Sequence, residues 1–210
     1  MSLFPKAALL LAGATLATSC QTIIHPRAIE APDLAVSKAA ADFGSYRISR
    51  VGLLPVSGTA LSPEEAVELQ EIFYSEFSER ARFELVLLDL ADLAEVTTSE
   101  PYLRGVYRPE TVLDISRRFG LDGLLVASVS HRQEFPPQKL NMHLDLVAAE
   151  TGMTIWTSTV ALQADRPDVV KGLEAFFGNG LPMSDDSWAT ALLSPSQFAR
   201  FGVWQMARAL

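Results

Sequence analysis

Two groups of residues have types and spacing suited to chemistry: a single cysteine, and a loose set of histidines near a carboxylate. The 210 residues contain one cysteine, Cys20, and three histidines, His25, His131 and His143. His131 closes an apolar run, and His143 and Asp145 follow after a loop, two residues apart on one face of an alternating stretch. A hairpin joining the two would offer two imidazoles and a carboxylate to zinc, which takes four ligands in a tetrahedral array. Two loosely spaced histidines fall short of that set. The plain reading is a polar hairpin face in solvent, and the expectation is no metal, no cofactor and no enzyme. His25 lies in a proline-punctuated stretch and needs no role. There is no Gly-x-Ser-x-Gly nucleophile elbow. No phosphate-cradling glycine loop follows a strand, because Gly58 is isolated and Gly178-x-Gly180 follows a helix. Asp122 and Glu150 fall at turns, where capping and solvation account for carboxylates.

Cys20 has the more definite chemistry. Lys6 precedes the apolar run Ala7 to Leu16, about ten residues against the ~20 that a spanning helix needs. A run of that length behind one positive charge suits a secretory signal, so Met1 to Ser19 lies outside the fold. Leu16-Ala17-Thr18-Ser19-Cys20 resembles the bacterial lipobox, in which small residues lead to a cysteine that is lipidated (palmitate among its acyl groups) and becomes the first mature residue. Ala17 stands where leucine is commoner. The alternative is an ordinary signal peptide cut nearby, which leaves Cys20 as a stray thiol. A lone cysteine makes no intrachain disulfide. An unpaired thiol exported to an oxidising compartment is better explained when it carries a lipid. Gln21 rather than aspartate follows the cysteine, which in lipoproteins of the enterobacterial type implies the outer membrane, facing the periplasm.

Removing 19 of the 210 residues leaves 191, enough for one domain with a real core and too few for two comfortable ones. The formal charge is −8 and the longest basic run is Arg117-Arg118, which excludes nucleic acid as a partner. The same charge is repelled by anionic membrane surfaces, so any membrane contact falls to the lipid. With 49% apolar residues the chain is folded over most of its length.

The elements read as follows. Gln21 to Tyr46 is a tether, broken by Pro26 and Pro32, with a short helix over Asp33 to Phe43 closed by Gly44. Arg47 to Val56 is the first strand. Ser62-Pro63-Glu64-Glu65 starts a helix with a capping box, and Ala66, Leu69, Phe73 and Phe77 give it one apolar face that packs in the core. Phe83 to Leu88 is the next strand, joined by a parallel crossover. Asp89 to Val96 is a helical turn, and Thr97 to Arg108 is irregular. Pro109 opens a helix with Val112, Ile115 and Phe119 inward, ended by Gly120 in the left-handed region with Leu121 folding back. Leu124 to Val129 is a buried strand. Leu140, Met142, Leu144, Leu146 and Ala148 alternate with Asn141, His143 and Asp145, giving a strand with a dry face and a wetter one. Ala149 to Gly152 turns the chain, and Thr154 to Leu162 returns with Trp156. The expected order is β-α-β-α-β-β-β, an α/β (α+β-like) mixed sheet with helices mainly on one face.

Beyond it, Asp168 to Phe177 reads as a helix capped by Asp168 and stopped at Gly178, Gly178 to Asp186 as a loop, and Ser194-Pro195-Ser196-Gln197 as a second capped start. Phe198, Phe201, Trp204 and Met206 make the last helix apolar over a wide arc, as burial requires. A second reading gives Phe176, Phe177, Trp188 and Trp204 to a partner surface. The divisions are thus 1–19 signal, 20–46 anchor and tether, 47–164 the α/β domain and 165–210 a helical extension.

At Phe83-Glu84-Leu85-Val86, Gly120-Leu121-Asp122-Gly123, Leu140 to Val147 and Thr151-Gly152-Met153-Thr154-Ile155-Trp156, the chain resembles the domain shared by the penicillin-binding-protein activator lipoprotein B and the curli secretion channel lipoprotein. The amino-terminal domain of the Tol–Pal translocation protein is a more distant likeness. The resemblance covers Arg47 to Leu162. It implies a periplasmic α/β domain that binds other proteins, with no catalytic residues to carry over. Two features depart from it. The tether is short, where the activator has a long proline-rich one, and no spare alternating segments exist from which a channel's barrel hairpins would be built. The expectation is a lipid-anchored module that binds an envelope protein in assembly or regulation, cell-wall synthase activation included. A subunit of a homo-oligomeric envelope or secretion complex is the alternative, and a metal-dependent enzyme ranks third.

Overall fold

A computed structural model of the protein describes residues 30–59, 61–94, 108–178 and 187–210. Residues 1–29, with Cys20, His25 and the start of the stretch read as tether, Val96, the irregular stretch up to Tyr107 and the loop after Gly178 lie outside the described residues.

Six strands form one mixed sheet in the order β1-β6-β5-β4-β2-β3. Its parallel part is built as the spacing predicts. β2 (Arg50–Leu53) leads through α1 (Pro63–Arg80) to β3 (Glu84–Leu87), which lies parallel to it. The Ser62 hydroxyl accepts from the Glu65 amide at 3.3 Å, and the Glu65 carboxylate accepts from the Ser62 amide at 2.6 Å. Two amides that the first turn leaves without helical partners are thereby bonded. After α2 (Leu90–Ala94), α3 (Pro109–Phe119) ends at Gly120 with φ 64°. The Leu121 amide then donates back to the Ser116 carbonyl at 2.9 Å, the pattern that closes a helix on a left-handed residue.

β4 (Gly123–Gln133) pairs parallel with β2 on the side away from β3, and β5 (Lys139–Ala148) and β6 (Thr154–Gln163) continue as an antiparallel meander. Gly152, at φ 67°, makes the turn between the last two. β4 runs on past His131, which sits inside the strand beside a register shift and not at its end.

The tether reading needs correction. Ala35–Ala39 is not helical but a strand, β1, pairing antiparallel with β6, and only Phe43–Ser45 forms a helical turn of the 3₁₀ kind. Val36 and Lys38 face out while the Ser37 hydroxyl bonds that of Ser158 at 2.7 Å, so the period here is 2 and not 3.6. The sheet therefore begins inside the stretch read as tether.

Each face of the sheet holds a core. On one side Val51, Leu53, Leu125, Leu144, Leu146 and Val160 pack against Leu69, Phe73 and Phe77 of α1. The same core contains Val169 and Leu173 of α4 (Pro167–Gly178) and Phe198, Phe201 and Met206 of α6 (Pro195–Ala207). α5 (Ser187–Ala191) joins those two helices in sequence. On the other side Leu54, Leu88, Val112, Ile115, Leu124 and Val147 form a smaller cluster under α3. The Ser194 hydroxyl caps α6 through the Gln197 amide at 3.4 Å, as its sequence predicts. Asp168 is not the cap of α4 but lies in its first turn, where it pairs with Arg166 at 2.5 Å, because Pro167 already satisfies the fixed φ of the first helical position.

A close approach fixes the loop after β2. A Cβ on Gly58 would stand 2.5 Å from the Val129 carbonyl oxygen, a backbone atom, while Val129 itself donates to the Ser57 carbonyl at 2.8 Å. Gly58→Ala is expected to cost ~1–3 kcal/mol through forced displacement, measured as a lower midpoint in chemical denaturation.

Candidate functional site

The histidine and carboxylate set is drawn together only in part. Across the β4–β5 pair His131 lies opposite Asn141 and His143 opposite Ser128. The His143 Nδ1 is 2.9 Å from the Thr159 hydroxyl, and its Nε2 is 2.8 Å from an Asp145 oxygen and 3.4 Å from the Thr157 hydroxyl. Both ring nitrogens thus face partners from β5 and β6. Among the described residues no group of three or more histidine, cysteine, aspartate or glutamate side chains is arranged to hold a metal. The strand face read as wetter is drier than expected, with Asp145 buried and His143 half-buried, and the bonds among these polar groups offset their loss of water.

The aromatic set is gathered more fully. The Phe176 ring stands 4.8 Å from Phe177, 5.9 Å from Phe201 and 4.9 Å from Trp204, and Arg208 lies over Trp204 at 4.6 Å. Phe176, Phe177, Trp188 and Trp204 are all half-buried against the larger core. These contacts hold α4 against α6.

Three larger hollows open on the surface. One, of about 430 Å³, lies between Tyr46, Ile48, Leu113, Arg117 and Asp122. A second, of about 590 Å³, lies between Phe43, Tyr46, Arg80, Arg82, Phe83 and Leu210. The third, of about 460 Å³, lies between Pro55, Val56, Ala66, Val67, Leu90 and Ala91, where the chain leaves β2 and β3.

Asp122 in the first hollow is engaged within the fold. Its Oδ2 accepts from the Ser49 hydroxyl at 2.5 Å, the Ser49 amide at 2.9 Å and the Arg50 amide at 2.9 Å. The Ser49 hydroxyl above all, with the two amides, holds this carboxyl below its ordinary 3.8. A depressed folded-state value means that the carboxylate stabilises the fold above the ordinary carboxylate range, and that this contribution disappears as pH falls through the lowered value. Asp122→Ala is expected to lower stability by ~1 kcal/mol at pH 7. The gap to the native chain should close on acidification below about pH 4, as denaturation across a pH series would read out.

The third hollow differs in chemistry. Val67, on the outer side of α1, and Leu90 are 57% and 65% exposed. Tyr74, two turns along the same side, and Leu87, on β3, are 39% and 42% exposed. Among the described residues β3 is an edge strand. The sequence signal for this exposed apolar surface is Val67 with Tyr74, seven residues apart on α1 and off the buried Ala66–Phe77 stripe.

No family model matches the sequence, and no curated protein matches it. Among solved structures the chain is similar to the PelC dodecamer from Paraburkholderia phytofirmans, at 11% identity and TM-score 0.43, covering 78% of this chain and 96% of that one. It is similar to the LpoB C-terminal domain from Escherichia coli, at 19% identity and TM-score 0.40, covering 55% and 83%. It is also similar to lipoprotein GNA1162 from Neisseria meningitidis, at 16% identity and TM-score 0.42, covering 55% and 80%. The activator-lipoprotein domain that the sequence resembles is among these structures.

Proposed function

We propose that this chain is a lipid-anchored envelope protein, facing the periplasm, whose α/β domain works by binding another protein in assembly or regulation. The observation that carries the reading is the exposed pair Val67 and Leu90, which line one hollow beside β3, an edge strand among the described residues. Exposed apolar surface of this kind, rimmed by polar groups, suits a protein interface. Leu16 to Cys20 supplies the means of anchoring, and Gln21 favours the outer membrane. A domain held at a membrane by one lipid meets its partner at raised local concentration, so modest affinity suffices.

Crosslinking in intact envelopes tests the reading. The native protein is recovered beside a Cys20→Ser version. A second envelope protein recovered with the anchored form supports the proposal. A ladder of this chain alone supports the homo-oligomeric subunit instead, and recovery of no partner at all contradicts both.

A further inference from the structure

We propose that the open β3 edge takes an extended segment of the partner as an added strand, and that this segment carries aliphatic side chains together with lysine or arginine. The inference rests on the protein-binding reading above and adds to it the place and the chemistry of the contact.

The backbone comes first. The Glu84 amide donates to the Ser49 carbonyl at 2.8 Å and the Leu88 amide to the Leu53 carbonyl at 3.1 Å, both toward β2. In a strand successive residues point their backbone groups to opposite sides, so those of Leu85 and Leu87 face away from the sheet. Short edges with charged residues are a common guard against unwanted pairing. β3 is short, yet its outer half carries Leu87 and leads into Leu90. An added strand gains main-chain hydrogen bonds from such an edge and specificity from the hollows beside it. The 460 Å³ hollow between Val56, Ala66, Val67 and Leu90 has room for an aliphatic anchor.

Charge selects the occupant. From Val51 to Glu79, and again from Phe83 to Ala94, the chain has no lysine or arginine. Several acids there are already engaged. Glu65 and Glu68 pair with Arg132, Glu76 with Arg80 and Arg200, and Glu84 with Arg50. Asp89 and Asp92 bond each other's amides at 2.7–3.0 Å. Glu64 and Glu71 are exposed on the same side of α1 as Val67, one turn to either side of it. Val67 and Leu90 about one hollow, flanked by Glu64 and Glu71, which have no ion pair among the described residues, favour a cationic, aliphatic segment over an acidic one. A second copy of this chain fits less well: its arginines in the 590 Å³ hollow stand at helix ends, and Arg80 and Arg208 pair with acids of their own fold.

The test places a photocrosslinking residue at position 67 or 90 of the full anchored chain, with positions 36, 135 and 153 as exposed controls, and maps the joined peptide. The expected result is adducts from 67 and 90 at least 5-fold above the controls, on a segment containing aliphatic residues and lysine or arginine. Amide exchange at Leu85 and Leu87 should slow in the purified adduct. Glu64→Lys with Glu71→Lys, both on exposed positions, should cut the yield at least 5-fold. Adducts at the controls alone overturn the inference and leave protein binding standing, whereas adducts nowhere overturn both. A mapped segment that is acidic, or that belongs to a second copy, also overturns the inference, as do unprotected Leu85 and Leu87 amides.

Discussion

Phe201→Ala is expected to destabilise the protein by ~3–5 kcal/mol, the range for an aromatic truncated in a packed core. Phe201 is fully buried and stacks near Phe176 and Trp204, at 5.9 and 6.1 Å between ring centres. α4 approaches it so closely that a Cβ on Gly172 would lie 2.6 Å from the ring. Removing the ring leaves a void that neither helix can fill without shifting. Domains of this size have only ~5–15 kcal/mol of net stability, so the variant falls near the limit of folding. The measurement is the urea midpoint at unchanged slope. A shift below about 1 kcal/mol would mean that α4 to α6 are appended to the domain and contribute little to its core.

Cys20→Ser should have the largest effect on location. In the proposed reading the lipid is the anchor, and a formal charge of −8 gives no attraction to anionic lipid. Each buried acyl methylene contributes ~0.8 kcal/mol, and the serine variant loses all of it. Fractionation of envelopes is expected to move the protein from the membrane pellet to the soluble periplasmic fraction, with loss of palmitate incorporation. A variant that stays in the pellet would contradict lipid anchoring.

Much of the fold was legible because its signals are local. Ser62 with Glu65, and Gly120 after Phe119, specify helix ends through backbone hydrogen bonds that the residues themselves supply. The alternation of Leu140 to Ala148 specifies a strand through its period. Residues 33–43 read as helix because the stretch is short, alanine-rich and followed by a glycine, which favours a helix locally. What makes Ala35–Ala39 a strand is the unsatisfied edge of β6, a long-range partner that no local pattern contains. The candidate site shows the same division. The half-buried aromatics of the last helices and the position of His143 on β5 followed from spacing. The partners that occupy the His143 ring, Thr157 and Thr159, come from a strand paired in a register set by the whole sheet. The pair Val67 and Leu90 was hidden because its members come from α1 and from the start of α2 after β3, and exposure is a property of the assembled surface.

Protein binding at the β3 edge is the claim on which the account depends, and a paired comparison in intact envelopes tests it most directly. The anchored native chain and an anchored Val67→Asp, Leu90→Asp version are crosslinked and recovered side by side; both positions are exposed, so the fold is kept. The account predicts that a second envelope protein is recovered with the native chain and falls at least 5-fold with the variant, while both remain in the membrane fraction. Equal recovery from the two would contradict it.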